Sequence, residues 1–292
     1  MISGSSTWPF FNPQTADDSS PTDAQTKPFN ELQWLTFKRR LKEGWQVDLE
    51  GYREERIQSR ISSWMRRHGI STLEELIRRM QEDEKVFYSL QDALFINTSS
   101  FFRDEGVFNP LRERILPELV QRFGRLDIWS AGCSFGAEPY TVAILLWEMG
   151  QGGGRHRIVG TDIDTAALRQ AERGVFYPQH LEKLPESLRK KYFREVNGRF
   201  VIDPRVKQDV AWHRHDLLRE PPPSPGTFHL ILCRNVLIYF TPQTQHRVVA
   251  ELAAAIPVGG YLIIGGTEGI FDHQRLGLER DVHAVYRKVR VK

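Results

Sequence analysis

Cysteine is nearly absent from this 292-residue chain: Cys133 and Cys233 are the only two. Two are too few for a disulfide framework, and neither has Cys or His neighbours at zinc-site spacing, so both read as small buried residues and no metal is expected. An excess of one charge is missing too. The 40 Lys+Arg are offset by 37 Asp+Glu, leaving a formal charge of +3. A bulk nucleic-acid binder needs a denser basic surface than that, so nucleic acid is not an expected partner. No uninterrupted apolar run approaches the roughly 20 residues of a membrane helix, and the N-terminal stretch lacks the basic-then-apolar pattern of a signal peptide. The expectation is a soluble, cytoplasmic, monomeric protein with no membrane insertion. What is present is ordinary globular composition, 40% hydrophobic and 26% charged, over a length that suits two domains.

Residues 1–29 are rich in Ser, Thr, Pro and Asp and show no apolar periodicity, which predicts a disordered tail. Its three Asp and one Lys leave +5 on the remaining residues. Residues 30–96 read as a small helical domain, with Asp48 and Ser71 as candidate N-caps, Gly51 and Gly69 as breaks, and apolar residues three and four apart. In this segment Arg53, Arg56, Arg60 and Arg67 fall within about 60° on a helical wheel, beside an arc of Ile57, Ile61, Trp64 and Met65. Such a stripe serves either as a solvated face or as a docking face for an acidic partner helix.

Residues 97–292 change rhythm, alternating short apolar strands with amphipathic helices, the pattern of a parallel sheet with crossovers. Strands are predicted at 126–131, 157–161, 228–233 and 261–265, and helices at 137–149, 165–173 and 243–256. Between them, 192–196, 200–202 and 209–213 read as three short strands of an antiparallel insert over about 177–213, with Asn197-Gly198 as a hairpin turn.

The first strand ends in Trp129-Ser130-Ala131-Gly132-Cys133-Ser134-Phe135-Gly136-Ala137-Glu138. Glycines there let backbone approach a ligand at a helix N-terminus, but the dinucleotide pattern G-x-G-x-x-G lacks its middle glycine, and a Glu would repel pyrophosphate. That carboxylate suits a cationic group such as the amino group of a methionine moiety. The second strand runs into Gly160-Thr161-Asp162-Ile163-Asp164, and an acidic residue at that strand end is placed to accept hydrogen bonds from ribose hydroxyls. Each feature alone serves structure as readily as ligand binding. Together they favour a nucleoside with an amino-acid tail, which describes S-adenosyl-L-methionine.

Two further segments are Asn97-Thr98-Ser99-Ser100-Phe101-Phe102-Arg103-Asp104 and Cys233-Arg234-Asn235-Val236-Leu237-Ile238-Tyr239-Phe240. With the first two motifs and Gly265-Gly266-Thr267-Glu268, they closely resemble the chemoreceptor glutamate methyltransferases, the CheR family, from about residue 32 to residue 289. The resemblance implies a Rossmann-like α/β methyltransferase domain with a small antiparallel insert, preceded by a helical domain. It also implies methyl transfer from S-adenosyl-L-methionine to receptor glutamates, giving γ-glutamyl methyl esters and S-adenosyl-L-homocysteine. It places Asn97, Ser99 and Arg103 in the cofactor site from the linker, together with Gly132 and with Glu138 on the methionine amino group. Asp162 then takes the ribose, Asp216 and Leu217 lie near adenine, and Arg234 and Asn235 line the methionine end. Arg103 and Tyr239 come nearest the transferring methyl, and the stripe Arg53, Arg56, Arg60, Arg67 becomes a docking face for acidic receptor helices. In some members the insert pairs with a receptor's C-terminal peptide as an added strand.

Three positions depart from the family pattern. Ala137 replaces an acidic residue, Phe135 stands where a small hydroxyl residue is common, and Asp216 stands where Asn is usual. The competing reading is a cofactor-binding scaffold that docks on receptors with little or no methyl transfer.

Overall fold

The structure, a computed structural model, describes residues 28–94, 99–223 and 227–290. The predicted tail therefore lies almost wholly outside the described residues, as does Asn97.

Four helices open the chain: α1 (Glu31–Trp45), α2 (Glu54–Arg67), α3 (Leu73–Glu82) and α4 (Glu84–Leu94). Each packs an apolar stripe inward, among them Trp34, Phe37 and Leu41 of α1, Ile57, Ile61, Trp64 and Met65 of α2, and Leu76 and Met80 of α3. The caps differ from those expected. Thr72, one residue past Ser71, accepts the Glu75 N–H at 3.1 Å while Glu75 reaches back to the Ser71 N–H. α2 begins after Arg53 with no side-chain cap, and Asp48 instead accepts the Glu50 N–H.

After the linker, α5 (Glu105–Pro110), a π-helical turn and α6 (Leu116–Phe123) lead into the sheet. There follow β1 (Asp127–Ala131), α7 (Ala137–Glu148), β2 (Arg157–Asp162), α8 (Thr165–Arg173), β3 (Val175–Phe176), α9 (Glu186–Tyr192), β4 (Phe193–Val196) and β5 (Arg199–Ile202). The chain continues through α10 (Pro204–Lys207), β6 (Val210–Arg214), β7 (Leu230–Cys233), α11 (Pro242–Ala254), β8 (Tyr261–Ile264), β9 (Leu278–Val282) and β10 (Val285–Lys288). The main sheet has the order β6-β2-β1-β7-β8-β10-β9, parallel from β6 to β8 and antiparallel at β10 and β9. Strands β7 and β8 are wholly buried, which is why they read in the sequence as unbroken apolar runs.

The antiparallel insert is a correction in part. Its sheet is β3-β5-β4, and the segment expected as its third strand is β6, which pairs in parallel with β2 from Ile158↔Val210 to Asp162↔Arg214. A five-residue strand after a hairpin carries no local mark of which sheet it joins. The hairpin itself forms as read, with Asn197 and Gly198 both at positive φ (50° and 71°), the type I′ requirement.

Candidate active site

The order of the parallel strands reverses at β1, which lies between β2 and β7, so the carboxyl ends of these strands flank a natural crevice. A cavity of about 370 Å³ occupies it, within the size range of small-molecule sites.

The turn after β1 shapes one wall. Gly132 has φ +74°, and a Cβ there would lie 2.5 Å from a methyl of Val236, so glycine alone lets this turn approach the loop after β7. Ser134 donates its backbone N–H to Asp162 Oδ2 at 2.8 Å, and Asp162 Oδ1 accepts from the Asp164 N–H at 2.9 Å. Burial outweighs these hydrogen bonds and pushes the Asp162 carboxyl up to about 6.

A buried ion cluster closes the far end. Ser130 Oγ donates to Glu138 Oε1 at 2.6 Å, and Arg234 Nη1 donates to Glu138 Oε2 at 3.1 Å. Arg234 Nη2 donates to the Arg103 carbonyl and to Asp104 Oδ2, both at 2.7 Å, with its side chain only 3% exposed. One guanidinium thus fastens the linker to α7.

The helical domain supplies the remaining wall, and here the basic stripe divides. The Arg53 N–H donates to the Tyr239 carbonyl at 2.8 Å, and its Nε donates to the Phe240 carbonyl at 2.9 Å. Arg60 Nη2 donates to the Tyr239 hydroxyl at 3.1 Å, with the guanidinium 4.5 Å from the ring centroid, and Arg60 also bonds the Leu94 carbonyl. Arg53 and Arg60 therefore face the sheet domain, while Arg56 and Arg67 are exposed. Helical periodicity identifies which arginines share a face but not what that face meets.

Ser99 and Arg103 from the linker, Gly132, Glu138 and Asp162, Asp216 and Leu217 after β6, and Arg234, Asn235 and Tyr239 after β7 all line this one cavity. Arg56 and Arg60 line it as well, but Arg67 does not. Sequence reasoning missed Tyr52, Ser134, Ile163, His215 and Val236, which also line it. Ser134 and Ile163 sit inside motifs already singled out and were reachable by adjacency. Tyr52 had no signal, because it arrives by tertiary packing, edge-on to Phe240 at 5.4 Å.

The unusual residues have local accounts. Phe135 stacks on His180 with ring centroids 4.3 Å apart, joining the turn after β1 to the insert. Asp216 spends its carboxylate on the Leu218 N–H and on Arg219, each at 2.8 Å, and Arg219 reaches Asp48 of the helical domain at 3.0 Å. Ala137 is wholly buried at the start of α7.

Two observations mark the cavity as built for a polar ligand. Ser134 Oγ, His215 Nδ1 and Arg234 Nε are buried without hydrogen-bond partners, and all three belong to residues that line it. Around it, Phe102, Asp104, Ser134 and Asn235 hold φ between 52° and 64°, four of the seven non-glycine residues with positive φ among the described residues, so left-handed backbone is concentrated at this cavity.

Residues 97–282 match the family model described as CheR methyltransferase, SAM binding domain, and residues 33–95 match that described as CheR methyltransferase, all-alpha domain. The chain belongs to the CheR methyltransferase family. It is 34% identical over 252 residues to a chemotaxis protein methyltransferase of Listeria monocytogenes, covering 86% of this chain and 95% of that one. It is 32% identical over 224 residues to chemotaxis protein methyltransferase 1 of Pseudomonas aeruginosa, covering 73% and 81%. This CheR-family chain is accordingly a methyltransferase with S-adenosyl-L-methionine as its cofactor. The cavity's mix of acidic, hydroxyl and backbone groups, with its three unpartnered polar atoms, fits that cofactor. Among the described residues no helix is long and apolar enough to cross a membrane.

Proposed function

We propose that the protein methylates glutamate side chains in the acidic cytoplasmic helices of chemoreceptor-like proteins, forming γ-glutamyl methyl esters and releasing S-adenosyl-L-homocysteine. The observation that carries this reading is the convergence of Arg56, Arg60 and Arg103 on one cavity beside Tyr239. Three guanidinium groups at a methyl-transfer site suit an anionic acceptor and oppose a cationic amine.

Ser99, Arg103 and Asn97 hold the cofactor from the linker, and Glu138 takes the methionine amino group on lone pairs that Ser130 and Arg234 leave open. Gly132 lets the backbone close on the ligand, Asp162 accepts from the ribose, Asp216 and Leu217 flank the adenine, and Arg234 with Asn235 borders the methionine end. When bound, S-adenosyl-L-methionine supplies an electrophilic methyl on a sulfonium with a neutral thioether as leaving group. A glutamate with an ordinary pKa near 4.3 is already ionised at pH 7, so the protein needs no general base. Its work is to strip water from the carboxylate and aim it, which is worth about 7–11 kcal/mol when the geometry is held. The direct test is mass spectrometry of receptor cytoplasmic fragments after incubation with enzyme and cofactor. One added methyl on a glutamate of an acidic helix supports the reading; methylation confined to lysine or to small molecules overturns it.

Two expectations follow. Arg56→Glu combined with Arg67→Glu raises KM for the receptor fragment by about tenfold, far more than it changes S-adenosyl-L-homocysteine affinity, as steady-state kinetics and calorimetry will read. The Asp162 carboxyl accepts from ribose hydroxyls best when ionised, so product affinity falls several-fold as pH drops from 7 to 5, through its pKa of about 6. The sign for folding is opposite. Burial favours the protonated form, so this group's stabilising contribution is full below its ordinary pKa near 3.9 and is lost as pH rises through about 6. Asp162→Asn flattens the affinity profile; an unchanged profile in that variant contradicts the assignment.

A further inference from the structure

The motif Gly265-Gly266-Thr267-Glu268 is not used by the chemistry above, and Glu268 does not line the cavity. Its carboxylate nevertheless reaches the loop that does. Glu268 Oε2 accepts the Asn235 N–H at 3.0 Å and the Gly265 N–H at 2.6 Å, while Oε1 accepts the Ile238 N–H at 3.1 Å. A loop turning this sharply after a strand leaves backbone donors unpaired unless something outside the loop accepts them. Asn235 is left-handed at φ +58°, and the next residues wind into the short 3₁₀ turn Leu237–Tyr239. A left-handed residue followed by a short 3₁₀ turn makes few backbone hydrogen bonds of its own, so the amides here depend on outside acceptors. Gly265 makes room for the arrangement, since a Cβ there would sit 2.7 Å from Glu268 Oε2 and 2.9 Å from the Asn235 nitrogen. The loop's carbonyls are taken separately: Gln245 Nε2 donates to the Leu237 carbonyl at 2.7 Å.

We propose that Glu268 is a positioning residue for methyl transfer, a carboxylate clamp on the Asn235 and Ile238 amides that holds Tyr239 at the cavity. It acts through the loop and touches neither cofactor nor acceptor. The assignment rests on the reading of Tyr239 as a residue beside the transferring methyl.

Glu268→Gln preserves volume but replaces one acceptor oxygen by an NH₂ that faces backbone donors. In this variant, amide hydrogen exchange at Asn235 and Ile238 accelerates by about tenfold or more in the ligand-free protein, while amides of β1 and β8 exchange at the wild-type rate. With receptor fragments kcat falls by about tenfold or more, and S-adenosyl-L-homocysteine affinity stays within about threefold. In a Tyr239→Phe background the same substitution lowers kcat by a much smaller factor, because both changes remove one contribution. Should Glu268→Gln fail to fold, Glu268→Asp keeps the charge one methylene too short and gives a smaller increase in exchange at the same amides. Unchanged exchange at Asn235 and Ile238 overturns the clamp. Equal losses of kcat in the wild-type and Tyr239→Phe backgrounds overturn the link to Tyr239. Failure of the unmodified protein to methylate glutamate at all would instead overturn the function on which the proposal rests, and the exchange measurement would still decide the clamp.

Discussion

Replacing Arg103 by alanine lowers methyl transfer to receptor fragments by about a hundredfold or more, while S-adenosyl-L-homocysteine affinity changes by less than about tenfold and the protein remains folded. The backbone of Arg103 is already anchored, because its carbonyl accepts from Arg234 at 2.7 Å, so removing the side chain leaves the linker in place. What disappears is a planar fork at the cavity that matches the two oxygens of a carboxylate. Tight pairing also dulls a nucleophile, so the contribution is orientation more than activation, and it appears in kcat. Arg103→Lys recovers little, since an ammonium lacks the fork. Single-turnover kinetics with saturating cofactor measures this loss directly, and near-normal rates in Arg103→Ala contradict the assigned role.

The second large effect is on stability. Arg234→Ala removes the one cation shared by Glu138 and Asp104 in a site where the arginine side chain is 3% exposed and that of Glu138 is 11% exposed. Breaking a buried pair from one side leaves the other charge uncompensated, at a cost of about 3–5 kcal/mol. Since each kcal/mol moves the midpoint of a chain this long by about 2–4 °C, the expected fall is on the order of 10 °C. Asp104, more than a third exposed, regains water and adds little. Adding Glu138→Gln to Arg234→Ala restores part of the loss, because the orphaned charge is then gone. A midpoint within a degree of wild type in Arg234→Ala would show that the cluster does not hold the linker.

Much of this architecture was legible because its signals are local. Unbroken apolar runs marked β7 and β8, period-three and period-four spacing marked α2 and α3, and Asn197-Gly198 marked a hairpin. Motif residues scattered from Ser99 to Tyr239 meet at one cavity because strands β1, β2 and β7 end side by side. What could not be read were facts of tertiary placement. β6 belongs to the main sheet only through its register with β2, and Arg53 and Arg60 turn inward only because Tyr239 and Phe240 are there to receive them. Arg234 illustrates the same limit from the other side. Its place among the cavity residues was readable by resemblance, whereas its bonds to Glu138 and Asp104 depend on atoms more than ninety residues away.

On the proposed function a carboxylate of a protein, and no other group, receives the methyl. Base treatment after transfer from methyl-labelled S-adenosyl-L-methionine to receptor cytoplasmic fragments tests it most directly, because a glutamyl methyl ester hydrolyses to volatile methanol and an N-methyl group does not. Labelled methanol is expected in proportion to label on the fragment, lost when the acidic helix's glutamates are changed to alanine. Cofactor binding with no base-labile label on any fragment would contradict it and leave a receptor-docking scaffold in its place.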